Sequence, residues 1–368
     1  MLCLFLPMIH GCGLGPGVGV EPLLAVAVDN TGVRCPRSDP RQRAILKQKV
    51  APPQPDKPEG VSRAQLYAKI DELRALQTDE SGAIGEELVK LEARAAKALV
   101  DLYATLTPWQ KTQVARHQMR PHFIDYIAGL IEDFTPLAGD RKFADDEALI
   151  AGFGRFRGQS VCIMGQEKGS DTEGRLRHNF GMTRPEGYRK AVRLMEMADR
   201  FDLPVISLVD TAGAFPGIDA EERGQAEAIA RSTEACLALG VPNVAVVVGE
   251  GGSGGAVAIA TANRVLMLEH AIYTVASPEA SASILWRDSG RRQDAATNMK
   301  ITAQDLLRFG IIDGIIPEPA GGAHRDPLAM IRNTGDAIEA SIASFSAMSR
   351  DAVRDARADK FLGIGRKL

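Results

Sequence analysis

The residues that point most directly to chemistry in this chain are glycines. Residues 249–255, which we call the glycine segment, contain five glycines with only Glu250 and Ser253 between them, and follow the apolar run 244–248. Glycine lets a backbone turn sharply and approach a ligand without a Cβ in the way. The pattern predicts a buried strand, a tight turn and a helix whose free N–H groups point back at the turn. Such amides would bind a ligand that carries or develops negative charge.

Three known patterns overlap in the glycine segment, and each implies a different function. G-x-G-x-x-G from Gly249, with Glu269 downstream, matches a dinucleotide-binding fingerprint. G-x-S-x-G around Ser253 matches the nucleophile elbow of serine hydrolases. The third interpretation is an oxyanion hole made of backbone amides, where side chains matter little. A P-loop is excluded because no Lys-Ser/Thr pair follows the glycines.

Two further segments follow predicted strands and are expected to lie beside the glycine segment. The first loop, residues 165–179, is rich in basic side chains that could bind an anion: Lys168, Arg175, Arg177 and His178. The second loop, residues 210–217, begins at Asp210 and contains Gly213 and Gly217, so we expect it to present a second set of backbone donors. In parallel sheets, ligands bind at the carboxyl ends of the strands, where all three segments would meet.

The hydrophobic pattern of the sequence predicts the strands and helices that would position these segments. Apolar runs predict strands at 161–164, 205–209, 244–248, 265–268 and 272–275, and amphipathic patterns predict helices at 185–201 and 220–239. Asp219 and Glu222 resemble a capping box at the start of the second helix. Strands alternating with helices indicate an α/β fold with a largely parallel sheet.

The amino-terminal third is predicted to be different. Residues 1–60 contain glycine- and proline-rich stretches and are interpreted as a disordered or mis-annotated extension. Residues 61–135 are predicted to form a helical arm with two helices in a hairpin, and His117 and His122 there are interpreted as structural. Residues 136–345 would form the main domain, and 346–368 a helical or mobile tail.

Composition narrows the class of protein. A net charge of −3 gives no electrostatic signature for nucleic acid, and no apolar run is long enough for a membrane span. The five cysteines include no C-x-x-C pair, which favours free thiols in a reducing, cytoplasmic setting and argues against a zinc site in this chain.

Taken together, the motifs resemble those of the carboxyltransferase alpha subunits of bacterial acetyl-CoA carboxylases. The matching segments, in order, are AGDR at 138–141, FGM at 180–182, PEGYRKA at 185–191, DTAGAFPG at 210–217, AEERGQ at 220–225, GEGGSGGA at 249–256, ASILW at 282–286 and IIPEPAGGAHR at 315–325. The resemblance covers roughly residues 62–345. Ala212 and Phe215 depart from it, since the family usually has proline and tyrosine there.

The resemblance implies a crotonase-like ββα superhelix. It also implies an α2β2 assembly with a beta subunit that carries a zinc ribbon, a biotin carboxyl carrier protein and a biotin carboxylase. The cofactor would be biotin, borne by the carrier protein, and the reaction would transfer its carboxyl group to acetyl-CoA, giving malonyl-CoA for fatty acid biosynthesis. An alternative acyl-CoA is propionyl-CoA.

The site residues are assigned as expectations from this resemblance and from the physics of oxyanion stabilisation. The amides of Gly251 and Gly252, or of Gly254 and Gly255, would donate to the ureido oxygen of biotin, with Gly213 and Ala214 as second candidates. Substrate contacts are expected from Lys168, Arg175, Arg177, Phe215, Gly217 and Ser253. Glu250 is interpreted as a structural hydrogen bonder. The remaining alternative is a serine hydrolase that uses Ser253 with His324 and either Asp305 or Asp313.

Overall fold

The computed structural model describes residues 82–366, with side chains from Val89 onward. The predicted extension at 1–60 and the first predicted helix of the arm lie outside these residues. Residues from Leu99 onward form one compact unit, whereas Gly82–Ala98 belong to a second unit.

A sheet forms the centre of the compact unit. Within the described residues it has eight strands, in the order β1-β2-β3-β4-β5-β6-β8, with β7 paired to β5. The first three strands are antiparallel to one another, and the pairs from β3 onward are parallel. The strands are β1 (Ile131–Pro136), β2 (Leu149–Phe156), β3 (Gln159–Gln166), β4 (Val205–Thr211), β5 (Asn243–Gly252), β6 (Arg264–Leu268), β7 (Ile272–Thr274) and β8 (Gly314–Ile316).

Helices precede, connect and follow the strands. They are α1 (Gly82–Ala104), α2 (Pro108–Ala115), α3 (Phe123–Leu130), α4 (Thr172–Arg177), α5 (Pro185–Arg200), α6 (Ile218–Glu222), α7 (Gln225–Ala238), α8 (Ser253–Ala260), α9 (Pro278–Trp286), α10 (Arg292–Asn298), α11 (Ala303–Arg308), α12 (Pro327–Ala343) and α13 (Arg350–Gly363). No helix in the described part of the chain has the length and apolar character needed to cross a membrane.

The core explains why the apolar runs predicted strands correctly. Every residue of β4 and β5 is buried, as expected of central parallel strands that are covered on both faces. The apolar face of α5 packs against α7 through Leu194, Met195 and Ala198, all at most 1% exposed. All five predicted strands are present, and the predicted helix at 185–201 is α5.

Two local predictions, both for the helix at 220–239, were wrong. The helix predicted at 220–239 is two helices, because Gly224 adopts a left-handed conformation (φ 81°) between α6 and α7, and Gly217, not Asp219, caps the first. The predicted end of the arm at 135 falls inside β1. Helix α3, directly before that strand, packs on the main body through Phe123 and Tyr126, which are at most 1% exposed.

The segment predicted to be a helical or mobile tail contains a helix. Its charged sequence is typical of a mobile segment, yet residues 350–363 form α13. Arg357 of this helix is fully buried. Its guanidinium donates to the carbonyls of Leu239 and Val241 at 2.6 and 3.0 Å and to the side chain of Asn243 at 2.9 Å. These contacts fix α13 on the end of the sheet where β5 begins.

Candidate functional site

The three predicted loops meet at one edge of the sheet. They follow β3, β4 and β5, which are adjacent and parallel, so their carboxyl ends share that edge. The backbones approach closely: a Cβ on Gly249 would lie 2.4 Å from Oδ1 of Asp210, and one on Gly252 would lie 2.2 Å from the carbonyl carbon of Ala212. These glycines are therefore required by internal packing of the second loop on the glycine segment.

The glycine segment is not the turn that was predicted. Residues up to Gly252 continue β5, where Gly251 lies opposite Tyr273 and Gly252 opposite Thr274 of β7. Gly251 also lies opposite Thr211 of β4. Their backbones belong to the hydrogen-bonded ladder, so the geometry does not favour Gly251 and Gly252 as ligand donors.

Amides without an acceptor in the described loops lie at the amino end of α8, where Ser253 is exposed, Gly254 half-buried and Gly255 buried. This helix begins at Ser253 directly after the strand, and no side chain caps it. The N–H groups of Ser253, Gly254 and Gly255 have no acceptor within the helix, and none of the described loops or side chains accepts from them. Ser253 is held at a φ of 49°, a strained conformation for a residue with a Cβ. Strain of this kind is maintained where the surrounding structure fixes the backbone firmly.

The second loop contributes one more such amide. Gly213 does not supply it, because its N–H donates to Oγ1 of Thr211 at 3.1 Å. The next amide, that of Ala214, has no acceptor among the described residues. It lies beside the helix end, since a Cβ built on Gly255 would be only 2.8 Å from the nitrogen of Ala214. Two elements thus bring free amides together, the arrangement of an oxyanion hole.

A buried charged network holds this arrangement. Lys168 Nζ lies 2.7 Å from Oδ1 of Asp210 and 2.9 Å from Oε2 of Glu250. The other oxygen of Glu250 accepts from Arg116 Nε at 2.6 Å, and the Glu250 amide donates to Asp210 at 2.9 Å. Arg116 also pairs with Glu279 of α9 at 2.6 Å. The network joins the residue after α2, the first loop, the end of β4 and the end of β5.

The electrostatics favour a structural role for Glu250 over the role of a base. Burial alone would raise the pKa of its carboxyl, but attraction to Lys168 and Arg116, with the hydrogen bonds that they donate, lowers it to about 2. A group with such a pKa stays ionised and paired near neutral pH. The interpretation of Glu250 as a structural hydrogen bonder therefore agrees with its geometry.

A second buried pair behaves in the same way. Arg120 donates to both carboxylate oxygens of Glu318, at 2.8 and 2.9 Å, and to the Val248 carbonyl at 2.8 Å. Burial would raise the pKa of Glu318, but Arg120 lowers it to about 2. The pair thus supports β5 just before the glycine segment.

These pKa values predict that the free energy of unfolding decreases in acid. In the folded protein the pKa values of Glu250 and Glu318 are both about 2, whereas the ordinary value is 4.5. Their stabilisation is therefore complete above about pH 4.5 and is lost as the pH falls towards 2. We expect each to contribute roughly 3 kcal/mol at neutral pH. Urea unfolding between pH 7 and 3 measures the free energy of unfolding as a function of pH. Glu318→Gln should make this pH dependence weaker, and an unchanged pH dependence would contradict the stabilising role of Glu318.

The other residues predicted to bind substrate differ in whether they already have partners within the chain. Lys168 is occupied by two carboxylates, so it neutralises charge within the chain and is not a free anion-binding group. Arg177 pairs with Glu147, and Arg175 Nε donates to the Gly169 carbonyl at 3.4 Å. Phe215 lies on the second loop with its amide donating to Thr183. Gly217 packs against the Phe215 ring, and Ser253 is exposed.

The role of Arg116 was not predicted from the sequence, and Asp210 was predicted only as the start of the second loop. No local pattern identifies Arg116, which lies 134 residues from Glu250 in the chain. Asp210 did have a signal, because it ends a buried strand directly before a glycine-containing loop. A carboxylate at that position must find a cation or amide donors when the loop is buried.

The hydrolase alternative is not assembled. His324 stacks on His117, with ring centroids 3.8 Å apart. Thr302 caps α11, and its hydroxyl donates to Oδ2 of Asp305 at 2.9 Å, while Asp313 accepts from the Val265 amide at 2.7 Å. Within the described residues, none of these groups is hydrogen-bonded to Ser253. A catalytic triad needs such contacts between nucleophile, base and orienting acid.

Comparison with solved structures identifies the fold. A transcarboxylase 12S with hydrolysed methylmalonyl-coenzyme A bound superposes with a TM-score of 0.51 at 20% identity, covering 62% of this chain and 42% of that one. This chain therefore spans less than half of the transcarboxylase chain. A Pseudomonas malonate decarboxylase hetero-tetramer in complex with coenzyme A gives a TM-score of 0.50 at 18% identity, covering 61% and 88%. The crotonase-like fold is thereby confirmed.

Comparison of sequences identifies the family. The model of acetyl co-enzyme A carboxylase carboxyltransferase-like proteins matches residues 61–365. The acetyl-coenzyme A carboxylase carboxyl transferase subunit alpha of Rhodopseudomonas palustris (strain BisA53) is 74% identical over 305 residues, 83% of this chain and 95% of that protein. The corresponding subunit of Methylobacterium nodulans is 71% identical over 306 residues, 83% and 96%. The resemblance predicted from the motifs is confirmed, and the chain belongs to the acetyl co-enzyme A carboxylase carboxyltransferase-like family.

Proposed function

We propose that this chain is the alpha subunit of an acetyl-CoA carboxylase carboxyltransferase. Together with a beta subunit it would transfer a carboxyl group from carboxybiotin, borne by a carrier protein, to acetyl-CoA, giving malonyl-CoA for fatty acid biosynthesis. The names of the relatives support the reaction, and their designation as subunit alpha supports a partner beta subunit. An α2β2 assembly, the carrier protein, a biotin carboxylase and a zinc ribbon on the beta subunit complete the proposal.

One observation carries the proposal: the Ala214 amide lies against Gly255, and neither the Ala214 nor the Gly255 N–H has an acceptor in the loops of the described chain. Biotin, when bound, supplies a ureido group whose oxygen gains negative charge as the carboxyl group leaves. Preorganised amides stabilise such an oxygen, and each donor is worth about 2.7–4 kcal/mol in the transition state. We assign Ala214, Gly254 and Gly255 as these donors.

The surroundings of these amides fit a flat bicyclic ligand. A Cβ on Gly213 would meet no atom within 4 Å, so the second loop faces open space beside the Ala214 amide. The buried network of Lys168, Asp210, Glu250 and Arg116 fixes the donors without offering a competing free anion. The chain would thus act by electrostatic stabilisation, while its own carboxylates keep their positioning role.

Mixing the purified chain with its beta subunit tests this function. We expect malonyl-CoA decarboxylation in the presence of biocytin when both subunits are present, and no activity from either alone. Comparing acetyl-CoA with propionyl-CoA as acceptor in the forward direction distinguishes the two acyl-CoA alternatives. Activity of this chain alone, or an inactive mixture from which the two folded subunits co-purify, would refute the proposal.

A further inference from the structure

An arginine that the mechanism above does not use lies between two of the site loops. Arg184 directly precedes α5. Its guanidinium carbon lies 4.5 Å from the centre of the Phe215 ring, and its Nη2 is 3.5 Å from Oδ1 of Asn179. Asn179 ends the first loop and Phe215 belongs to the second. The guanidinium therefore bridges the two loops at the edge of the sheet where the free amides lie.

The position of this arginine is fixed through its backbone. The Arg184 amide donates to Oδ2 of Asp146 at 2.7 Å, and its carbonyl accepts from Gly187 in the first turn of α5. The carbonyl of the preceding residue, Thr183, accepts the Phe215 amide at 3.0 Å. Arg184 is thus attached to the residue that directly follows Ala214, the proposed donor.

Within the described residues no carboxylate forms an ion pair with the Arg184 guanidinium, although Asp146, which accepts the Arg184 amide, attracts its charge from a longer distance. Three other arginines of this region have carboxylate partners: Arg177 with Glu147, Arg189 with Asp140, and Arg223 with Glu186. Among the described residues, no Asp or Glu lies within ion-pair distance of Arg184, and its buried Nε has no hydrogen-bond acceptor. A partly buried guanidinium with an unsatisfied N–H is unfavourable unless a ligand completes it.

We propose that Arg184 binds an oxyanion group of a substrate, with Phe215 and Asn179 holding its guanidinium in place. This assignment rests on the proposed carboxyltransferase function. The planar fork of arginine suits carboxylates and phosphates, and stacking on an aromatic ring leaves its N–H edge available. Two groups of the proposed substrates share this chemistry: the carboxylate that is transferred and the phosphates of coenzyme A.

Kinetics of the complex with the beta subunit test the assignment. In malonyl-CoA decarboxylation with biocytin, Arg184→Ala should raise the KM for malonyl-CoA about tenfold or more with a smaller change in kcat, as expected for a lost charge-assisted hydrogen bond. Arg184→Lys should recover part of the loss. With malonyl-pantetheine, which lacks the nucleotide phosphates, a persisting KM effect identifies the carboxylate and a vanished effect identifies the phosphates.

Arg200→Ala is the matched control, because Arg200 is exposed at the far end of the same helix. It should leave both parameters unchanged. The assignment is overturned if Arg184→Ala keeps the KM within twofold of the unsubstituted complex. It is also overturned if kcat alone falls and lysine restores nothing, which would indicate packing only.

A second measurement separates this inference from the proposed function. The full chain alone is heated with sodium phosphate, with sodium malonate, or with sodium chloride at equal ionic strength. We expect phosphate or malonate to raise the melting temperature of the unsubstituted chain but not of the Arg184→Ala variant. If the complex with the beta subunit is inactive, the proposed function fails, and the melting temperatures still test whether Arg184 binds an anion. Equal shifts of the melting temperature in the unsubstituted chain and in Arg184→Ala refute the anion site.

Discussion

Replacing Gly213 by alanine is expected to reduce carboxyl transfer at least about 100-fold while the protein stays folded. A Cβ at this position would meet no protein atom within 4 Å, so the methyl group would enter the open space in front of the second loop. The adjacent Ala214 amide could then no longer be approached closely by a ligand oxygen. Losing one oxyanion donor typically costs 100- to 1,000-fold in kcat, which sets the expected scale.

The substitution has a structural cost that needs a control. Gly213 has a φ of 154°, a conformation that residues with a Cβ rarely adopt, so alanine should destabilise the fold by about 1–3 kcal/mol. Gly310 offers a matched case, with a φ of 68° and open space around its Cβ position. Gly310→Ala should cost similar stability with nearly full activity in the decarboxylation assay. Equal activities for the two variants would contradict the role of the second loop.

Much of the fold was predictable because the central strands carry their signal locally. The valine-rich run 244–248 is buried on both faces, and burial on both faces is what a continuous apolar run indicates. The three loops could also be placed together, since consecutive parallel strands deliver their carboxyl ends to one edge. The family followed from motifs spread along the chain, each weak alone.

The detailed site was less predictable because it depends on partners distant in sequence. Glycines favour turns, yet Gly251 and Gly252 extend β5 because β7 pairs with them, and that strand begins at Ile272. The Gly213 N–H donates to the Thr211 hydroxyl, and this hydrogen bond depends on the rotamer of Thr211, which the sequence does not reveal. The contacts of the tail could not be predicted for the same reason: the acceptors that hold Arg357 are backbone carbonyls about 120 residues earlier.

The network under the glycine segment gives the second large prediction. Lys168→Met should destabilise the protein by about 3–5 kcal/mol, because it leaves Asp210 and Glu250 as buried carboxylates without their shared cation. Activity should fall more than tenfold as well, since repulsion between these groups would separate the end of β4 from the end of β5 and move α8 away from Ala214. Chemical denaturation and the decarboxylation assay measure the two effects.

The pH dependence of this variant distinguishes electrostatics from packing. Lys168 is the strongest of the groups that lower the pKa of Glu250, so that pKa should rise from about 2 when the lysine is removed. The unsubstituted protein loses the stabilisation by Glu250 as the pH falls from 4.5 towards 2, whereas the variant has less of it to lose. The stability difference between the two proteins should therefore narrow in acid. The control is Lys142→Met, at an exposed lysine that forms no ion pair within the described residues; it should change neither stability nor activity. If the stability difference between the unsubstituted protein and Lys168→Met is the same at all pH values, lost packing and not lost charge causes the effect.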